Sequence, residues 1–198
     1  PVMIRMFSPF GVGKTGTPRA NSSNCRKLRA RSALECATLR TGDAVFSDPA
    51  VRATCYQLYR NVYNQSEIHF DLLSPAYFDA VLQDGTSGGI VFTYRHAGEL
   101  IGFNLCFVHA GALVDKTIGL VYPAARDLNL YFVSWFENIR YCLSKGIKTY
   151  YSGQAGYRNK TRLGSELGSA QTYFRHANPF INLALKAAAP LLSDDLDD

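Results

Sequence analysis

The strongest constraint in this chain is the stretch GGIVFTYRHAGELIGFNLCFVHAGALVDKTIGLVYP, residues 88–123. Three runs, 90–95, 99–108 and 112–121, are rich in β-branched and aromatic residues, and a His-Ala-Gly tripeptide separates each from the next. Connections this short can only join antiparallel neighbours, because a parallel pair needs a crossover of a dozen residues or more. The stretch therefore predicts a three-strand meander at the heart of the fold.

Helical signals flank it on both sides. DPAVRATCYQLYRNVY opens with Asp48 as a cap and Pro49 at the first helical position, and Val51, Cys55, Leu58, Tyr59 and Val62 recur at helical spacing. SPAYFDAVLQDG repeats the device with Ser74, Pro75 and a stop at Gly85. After the meander, ARDLNLYFVSWFENIRYCLSKG predicts a helix capped by Asp127 and ended by Gly146, with Leu128, Tyr131, Trp135, Ile139 and Cys142 along its buried stripe. IKTYYSG reads as a strand, NKTRLGSEL as a short helix, AQTYFRHA as a last strand and PFINLALKAAAPLL as a last helix. A hairpin meander followed by βαβ-type crossovers requires a mixed sheet with helices on both faces.

The 198 residues suit one domain with a sizeable core, and 47% hydrophobic content argues against overall disorder. No run reaches the length a membrane span needs, and no charged segment followed by an apolar one opens the chain as a secretory signal would, so the expected compartment is cytoplasmic. The five cysteines show no CxxC spacing and the four histidines no HxH or HxxxH spacing, which predicts reduced thiols and no metal site. The net charge of +5 is uneven: residues 1–42 hold eight Lys and Arg against Glu35 alone. Three segments follow: a basic, poorly ordered arm over 1–47, in which ARSALECATLR predicts a short helix, a folded domain over 48–192, and an acidic tail over 193–198. The arm suits RNA, DNA or an acidic membrane surface, or is a solvated tail, and it lacks aromatics to stack on bases. FGVGKTGT resembles a phosphate-binding P-loop, but Ser8 stands where the pattern needs its first glycine, and a nucleotide enzyme is excluded on that ground.

Three segments carry candidate chemistry. YSGQAGYRNKTRLGSEL, residues 151–167, is a Gly-rich strand-to-helix turn holding Gln154, Arg158 and Lys160. Either Lys160 stabilises an oxyanion or a donor phosphate, or Lys160 and Arg158 are solvated loop charges. SEIHF offers Glu67 or His69 as a general base, or His69 as a local packing residue. YPAARDLNLY predicts backbone N–H groups of Ala125 and Arg126 facing an anion, with the Arg126 side chain adding charge, or else a capped crossover turn.

The element order, with LYRNVYNQSEIHFDLLSPAYF, DKTIGLVYPAARDLNLYF and GQAGYRNKTRLGSEL, resembles the GNAT acyltransferase fold, in particular its Fem-type, BioF2-like acetyltransferase-domain branch, over roughly residues 50–180. That resemblance implies an α/β (α+β) fold with a mixed, mostly antiparallel sheet flanked by helices. It implies acyl or aminoacyl transfer to an amine, from acyl-CoA or from an aminoacyl-tRNA, with a small-molecule or peptidoglycan-type acceptor. Lys160 matches the lysine that is often functional in the branch. The donor is then expected along Arg126, Asn129, Gln154 and Arg158, and the acceptor beside Phe70 and Asp71. Glu67 or His69 would be the base, and Tyr131 would protonate the leaving group. The turn PAARDLN lacks the glycines with which CoA-dependent members hold pyrophosphate. The alternative is therefore a non-catalytic module of the same fold, binding a cell-wall or lipid-linked precursor or RNA.

Overall fold

A computed structural model describes residues 2–7, 34–66, 72–153, 157–169 and 176–188. The expectations for the P-loop-like turn, for Glu67, His69, Phe70, Asp71 and Gln154, for the acidic tail, and for all but the last two residues of the strand over 170–177 lie outside these residues, and His176 and Ala177 are not in a strand. A seven-stranded sheet has the order β2-β3-β4-β5-β6-β1-β7. The strands are β1 (Val2–Phe7), β2 (Leu34–Arg40), β3 (Gly89–His96), β4 (Glu99–His109), β5 (Ala112–Leu120), β6 (Thr149–Tyr151) and β7 (Glu166–Ser169). Every pairing among them is antiparallel except β5 with β6. The fold is thus the mixed, mostly antiparallel sheet expected, and β3, β4 and β5 are its meander.

The two meander turns place Ala97 and Gly98, then Ala110 and Gly111, at positive φ. Two consecutive left-handed residues match the right-handed twist of the strands they join. The sheet's two faces pack on different cores. Ile90, Phe92 and Tyr94 of β3 join a cluster with Leu130, Val133 and Trp135. Val91 faces the other way, with Phe103 and Leu105, toward Phe46, Cys55, Leu58, Phe78 and Leu82. This two-sided burial explains why the meander reads as nearly continuous apolar runs.

Helices α1 (Pro49–Gln65) and α2 (Pro75–Gln83) cover the second face. Both begin as their sequences predict: the Asp48 carboxylate accepts from Ala50 N at 2.8 Å, and Ser74 Oγ from Tyr77 N at 3.2 Å. Arg52 ties the two together, donating to Asp79 Oδ1 at 2.6 Å and to the carbonyls of Phe46 and Ser47. Helix α1 lies so close to β5 that a Cβ on Gly119 would come within 2.8 Å of Tyr59 N and 2.2 Å of the Phe103 ring.

On the other face, the helix expected to start at Asp127 is two helices. A single turn, α3 (Ala124–Asp127), is followed by a break at Asn129, with φ 50°, and then by α4 (Leu130–Lys145). Asp127 therefore ends a turn rather than capping the long helix. The buried stripe also rotates, onto Leu130, Val133, Ser134, Asn138 and Cys142 together with Trp135, while Leu128, Tyr131 and Ile139 stay partly exposed. Gly146, at φ 67°, closes α4 as expected, and Ile147 N reaches back to Cys142 O at 2.9 Å.

The remaining differences are in β pairing. The ARSALECATLR segment, expected as a short helix, contributes strand β2, whose seven residues pair with β3 from Leu34↔His96 to Arg40↔Ile90. Glu35 stands opposite Arg95 in that register. This strand and the buried Phe46 lie within the 1–47 segment that the sequence assigns to an arm, and so does β1, which pairs with both β6 and β7. NKTRLGSEL splits: its first part belongs to α5 (Tyr157–Arg162), and after Gly164, at φ 90°, its end enters β7. Helix α6 (Pro179–Ala188) is the last described element.

Candidate active site

The crossover from β5 to α4 forms one wall of a cleft of about 350 Å³. Tyr122, Ala125, Arg126, Asn129, Tyr131 and Phe132 line that wall, with Leu120 at the end of β5, and Val62, Gln65 and Ser66 of the α1 end line the other. The Arg126 guanidinium lies 5.1 Å above the centre of the Tyr122 ring and donates to Gln65 Oε1 at 2.7 Å, bridging the two walls. Among the described residues that line the cleft, Arg126 is the cation and none is a carboxylate. Three of the sequence-selected residues, Arg126, Asn129 and Tyr131, thus converge on one cavity.

The backbone of that turn is not free to hold an anion, contrary to the sequence expectation. Ala125 N donates to Val121 O at 2.9 Å and Arg126 N to Pro123 O at 2.8 Å. The N–H groups of Asp127, Leu128 and Asn129 are likewise bonded, to the carbonyls of Pro123, Ala124 and Arg126. The inserted turn α3 engages the donors that a plain helix N-terminus would leave open. Anion recognition in this cleft rests on the Arg126 side chain and on the first N–H groups of α4, those of Leu130 and Tyr131, which no carbonyl or capping side chain engages among the described residues.

Behind the cleft lies a polar cluster the sequence reading did not select. Asn104 on β4, Asp115 on β5, Asn138 on α4 and Tyr150 on β6 meet between the sheet and α4. Tyr150 Oη donates to Asp115 Oδ2 at 2.8 Å, Asn104 Nδ2 donates to Asp115 Oδ1 at 2.7 Å, and Asn138 Nδ2 donates to Asn104 Oδ1 at 2.7 Å and Tyr150 Oη at 2.8 Å. Asn104 and Asn138 are fully buried. The Asp115 carboxylate is enclosed by these donors although part of its residue surface remains exposed. Burial pushes its pKa up, and the hydrogen bonds from Asn104 and Tyr150, then the Lys160 charge, oppose the rise. The available signal was a polar residue inside an apolar strand: Asn104 in ELIGFNLCFVH and Asp115 in ALVDKTIGL.

Lys160 belongs to this cluster and not to the cleft wall. Only 5% of its surface is exposed, and its ammonium donates to the carbonyls of Ser152 and, at 3.4 Å, Gly153. Burial lowers its pKa to about 8, with Asp115 pulling the other way. Tyr131 connects cluster and cleft. It lines the cavity, and burial, then the Asp115 charge, raise its hydroxyl to about 12, so it carries its proton at neutral pH. Arg158 lies on α5. Among the described residues no group of three or more His, Cys, Asp or Glu could hold a metal, and no helix is long and apolar enough to cross a membrane.

The family described as "Acetyltransferase (GNAT) domain" matches residues 20–161, and the chain belongs to it. Comparison with curated proteins gives no match. Among solved structures, the chain is similar to one described as the C-terminal domain of a putative lysylphosphatidylglycerol synthetase from Agrobacterium fabrum, at 15% identity and TM-score 0.57, covering 82% of this chain and 49% of that one. It is also similar to the L-PGS structure from Bacillus licheniformis, at 9% identity and TM-score 0.55, covering 77% and 44%. An acetyltransferase from Trypanosoma brucei matches at 13% identity and TM-score 0.52, over 72% of this chain and 99% of that one. The chain spans about half the length of the two synthetase structures. At these identities the likeness is one of fold.

Proposed function

We propose that this chain is an N-acyltransferase of the Fem-type, BioF2-like branch, acting in the cytoplasm, and that its donor lies in the cleft between α1 and the β5–α4 crossover. The observation that carries the reading is the convergence of Arg126, Asn129 and Tyr131 on one cavity, with Tyr131 held protonated. Arg126 gives up Gln65 to take the donor's anionic group. An acceptor amine attacks the donor carbonyl, and the tetrahedral intermediate collapses with the departing atom taking the Tyr131 proton. The attacking nitrogen loses its proton to Glu67 or His69. The chain reaches these residues directly from Ser66, which lines the cleft. Phe70 and Asp71 follow in the same segment and are assigned to the acceptor, while Gln154 and Arg158 are assigned to the donor. Acyl-CoA and aminoacyl-tRNA are the two donor classes. The internally bonded turn leaves only the Leu130 and Tyr131 N–H groups at the start of α4 as backbone donors, so a CoA donor depends on these and on the Arg126 side chain. The acceptor is a small-molecule or peptidoglycan-type amine.

That same turn supports a second reading, a non-catalytic module that binds a cell-wall or lipid-linked precursor or RNA. Calorimetric titration with acetyl-CoA and one long-chain acyl-CoA, on the natural chain and on Arg126→Ala, separates the readings. Saturable binding that weakens about tenfold in Arg126→Ala, the worth of one charge-assisted contact, supports a CoA donor at this cleft. Binding unaffected by Arg126→Ala refutes the cleft assignment. No binding to either ligand moves the donor to aminoacyl-tRNA or the chain to the second reading.

A further inference from the structure

We propose that Lys160 is a positioning residue: its ammonium fixes the chain where it leaves β6 by engaging the carbonyls of Ser152 and Gly153, and it does not touch the acyl donor. The statement about the donor rests on the acyl-transfer reading, but the anchoring of β6 stands without it.

Strands β5 and β6 pair only over Ala112–Val114 and Thr149–Tyr151. Beyond Val114, β5 continues to Leu120 while β6 stops at Tyr151. Distance is not what ends the ladder. A Cβ on Gly153 would lie 3.9 Å from Asp115 O and 4.0 Å from Lys160 Nζ, so the two chains are still in van der Waals reach just past the last pair. A parallel ladder carried further needs one of the next two carbonyls as an acceptor, because successive carbonyls of a strand face opposite edges. The Ser152 and Gly153 carbonyls instead accept from Lys160, and Gly153, at φ 78°, is outside strand geometry. The buried Ser152 hydroxyl is left without a hydrogen-bond partner among the described residues.

The other end of Lys160 is also anchored. Its own carbonyl accepts from Leu163 N at 3.1 Å and Ser165 N at 3.0 Å, which turns the chain into β7. Strand β7 pairs with β1, and β1 with β6. Lys160 therefore closes a ring of elements from β6 through α5, β7 and β1 back to β6. A buried ammonium is an unfavourable way to fill space, and an apolar side chain of the same length would do that without the desolvation penalty. Two carbonyls to satisfy and the nearby Asp115 charge account for a cation at this place.

Amide hydrogen exchange on the free chain tests the proposal without any substrate. Peptides covering 112–121 and 147–153 are followed in the natural chain, Lys160→Met and Lys160→Arg. In Lys160→Met, exchange in both segments is expected to rise about tenfold or more as the strand ends move freely, while the global unfolding midpoint stays within a few degrees. Lys160→Arg, which keeps donors and charge, is expected to restore protection. Unchanged protection in Lys160→Met, loss not restored by arginine, or a Lys160→Met chain that no longer folds each overturns the proposal. With acetyl-CoA as donor and a panel of amines, Lys160→Met is expected to lower kcat about tenfold at a KM within about twofold, the pattern of a misplaced and not a missing contact. A rise in KM of about tenfold at unchanged kcat marks direct donor contact and refutes it. If acetyl-CoA supports no turnover, the acyl-CoA reading fails and the exchange result decides the role of Lys160 alone.

Discussion

Removing one oxygen atom, in Tyr150→Phe, measures what the buried cluster contributes. Tyr150 is 2% exposed, so its ring stays packed whatever becomes of the hydroxyl. The hydroxyl donates to the Asp115 carboxylate at 2.8 Å and accepts from Asn138 Nδ2 at 2.8 Å. Asn138 keeps a second acceptor, Asn104 Oδ1, at 2.7 Å, so the loss on that side is small. Asp115 keeps Asn104 but loses its bond to Tyr150, and a hydrogen bond to a charged group is worth roughly 1.5–3 kcal/mol. The expected destabilisation is about 2–3 kcal/mol, or a fall in Tm of roughly 5–10 °C for a chain of this size. Urea denaturation followed by the fluorescence of Trp135, the chain's single tryptophan and itself buried, reads it directly. In an Asp115→Asn background the penalty should shrink by at least half, because the charged acceptor is gone. Two results refute the claim that the carboxylate is the cluster's centre: a Tyr150→Phe chain within about 0.5 kcal/mol of the natural one, or a penalty undiminished in the Asp115→Asn background.

Lys160 makes a contribution to stability that rises with pH. Its pKa in the fold is about 8, below its ordinary 10.5. Between those values the unfolded chain holds a proton that the folded chain has released, so the Lys160 contribution increases with pH from about 8 to 10.5 and the cost of its buried charge is fully present below 8. Cys55, Cys106, Cys142, Tyr94, Tyr131 and Tyr150, all pushed up by burial, act in the opposite sense as pH passes their ordinary values. From about pH 7 to pH 10 the urea midpoint should change less favourably in Lys160→Met than in the natural chain, because the contribution that rises with pH is gone, and equal changes refute the assignment. Gly119→Ala should cost about 3 kcal/mol or more, or prevent folding, because the added methyl falls within 2.8 Å of the α1 backbone at Tyr59 and cannot be accommodated by a side-chain rotation. Thermal melting checks it.

The parts of this protein legible in its sequence are those set by neighbours along the chain. The meander came from alternating turn and β-branched runs, because two-residue turns leave only one way for adjacent strands to pair. The starts of α1 and α2 came from Asp48–Pro49 and Ser74–Pro75, because caps act within one helical turn. Arg126, Asn129 and Tyr131 were found together because they sit within six residues on one crossover.

Tertiary structure decided what depends on distant partners. Leu34–Arg40 has a composition that suits a helix, but β3 offers it a full ladder, and β1 reaches the sheet only because β6 and β7 stand apart to receive it. Asn129 breaks the long helix, which turns its buried face, and the turn before it bonds the N–H groups of Ala125 and Arg126 that the sequence offers to an anion. Lys160 reads in the sequence as one cation in a polar turn. Its environment is made by Asp115, Ser152 and Gly153, brought from two other strands and their ends, and no pattern over a few residues encodes a distance across a sheet.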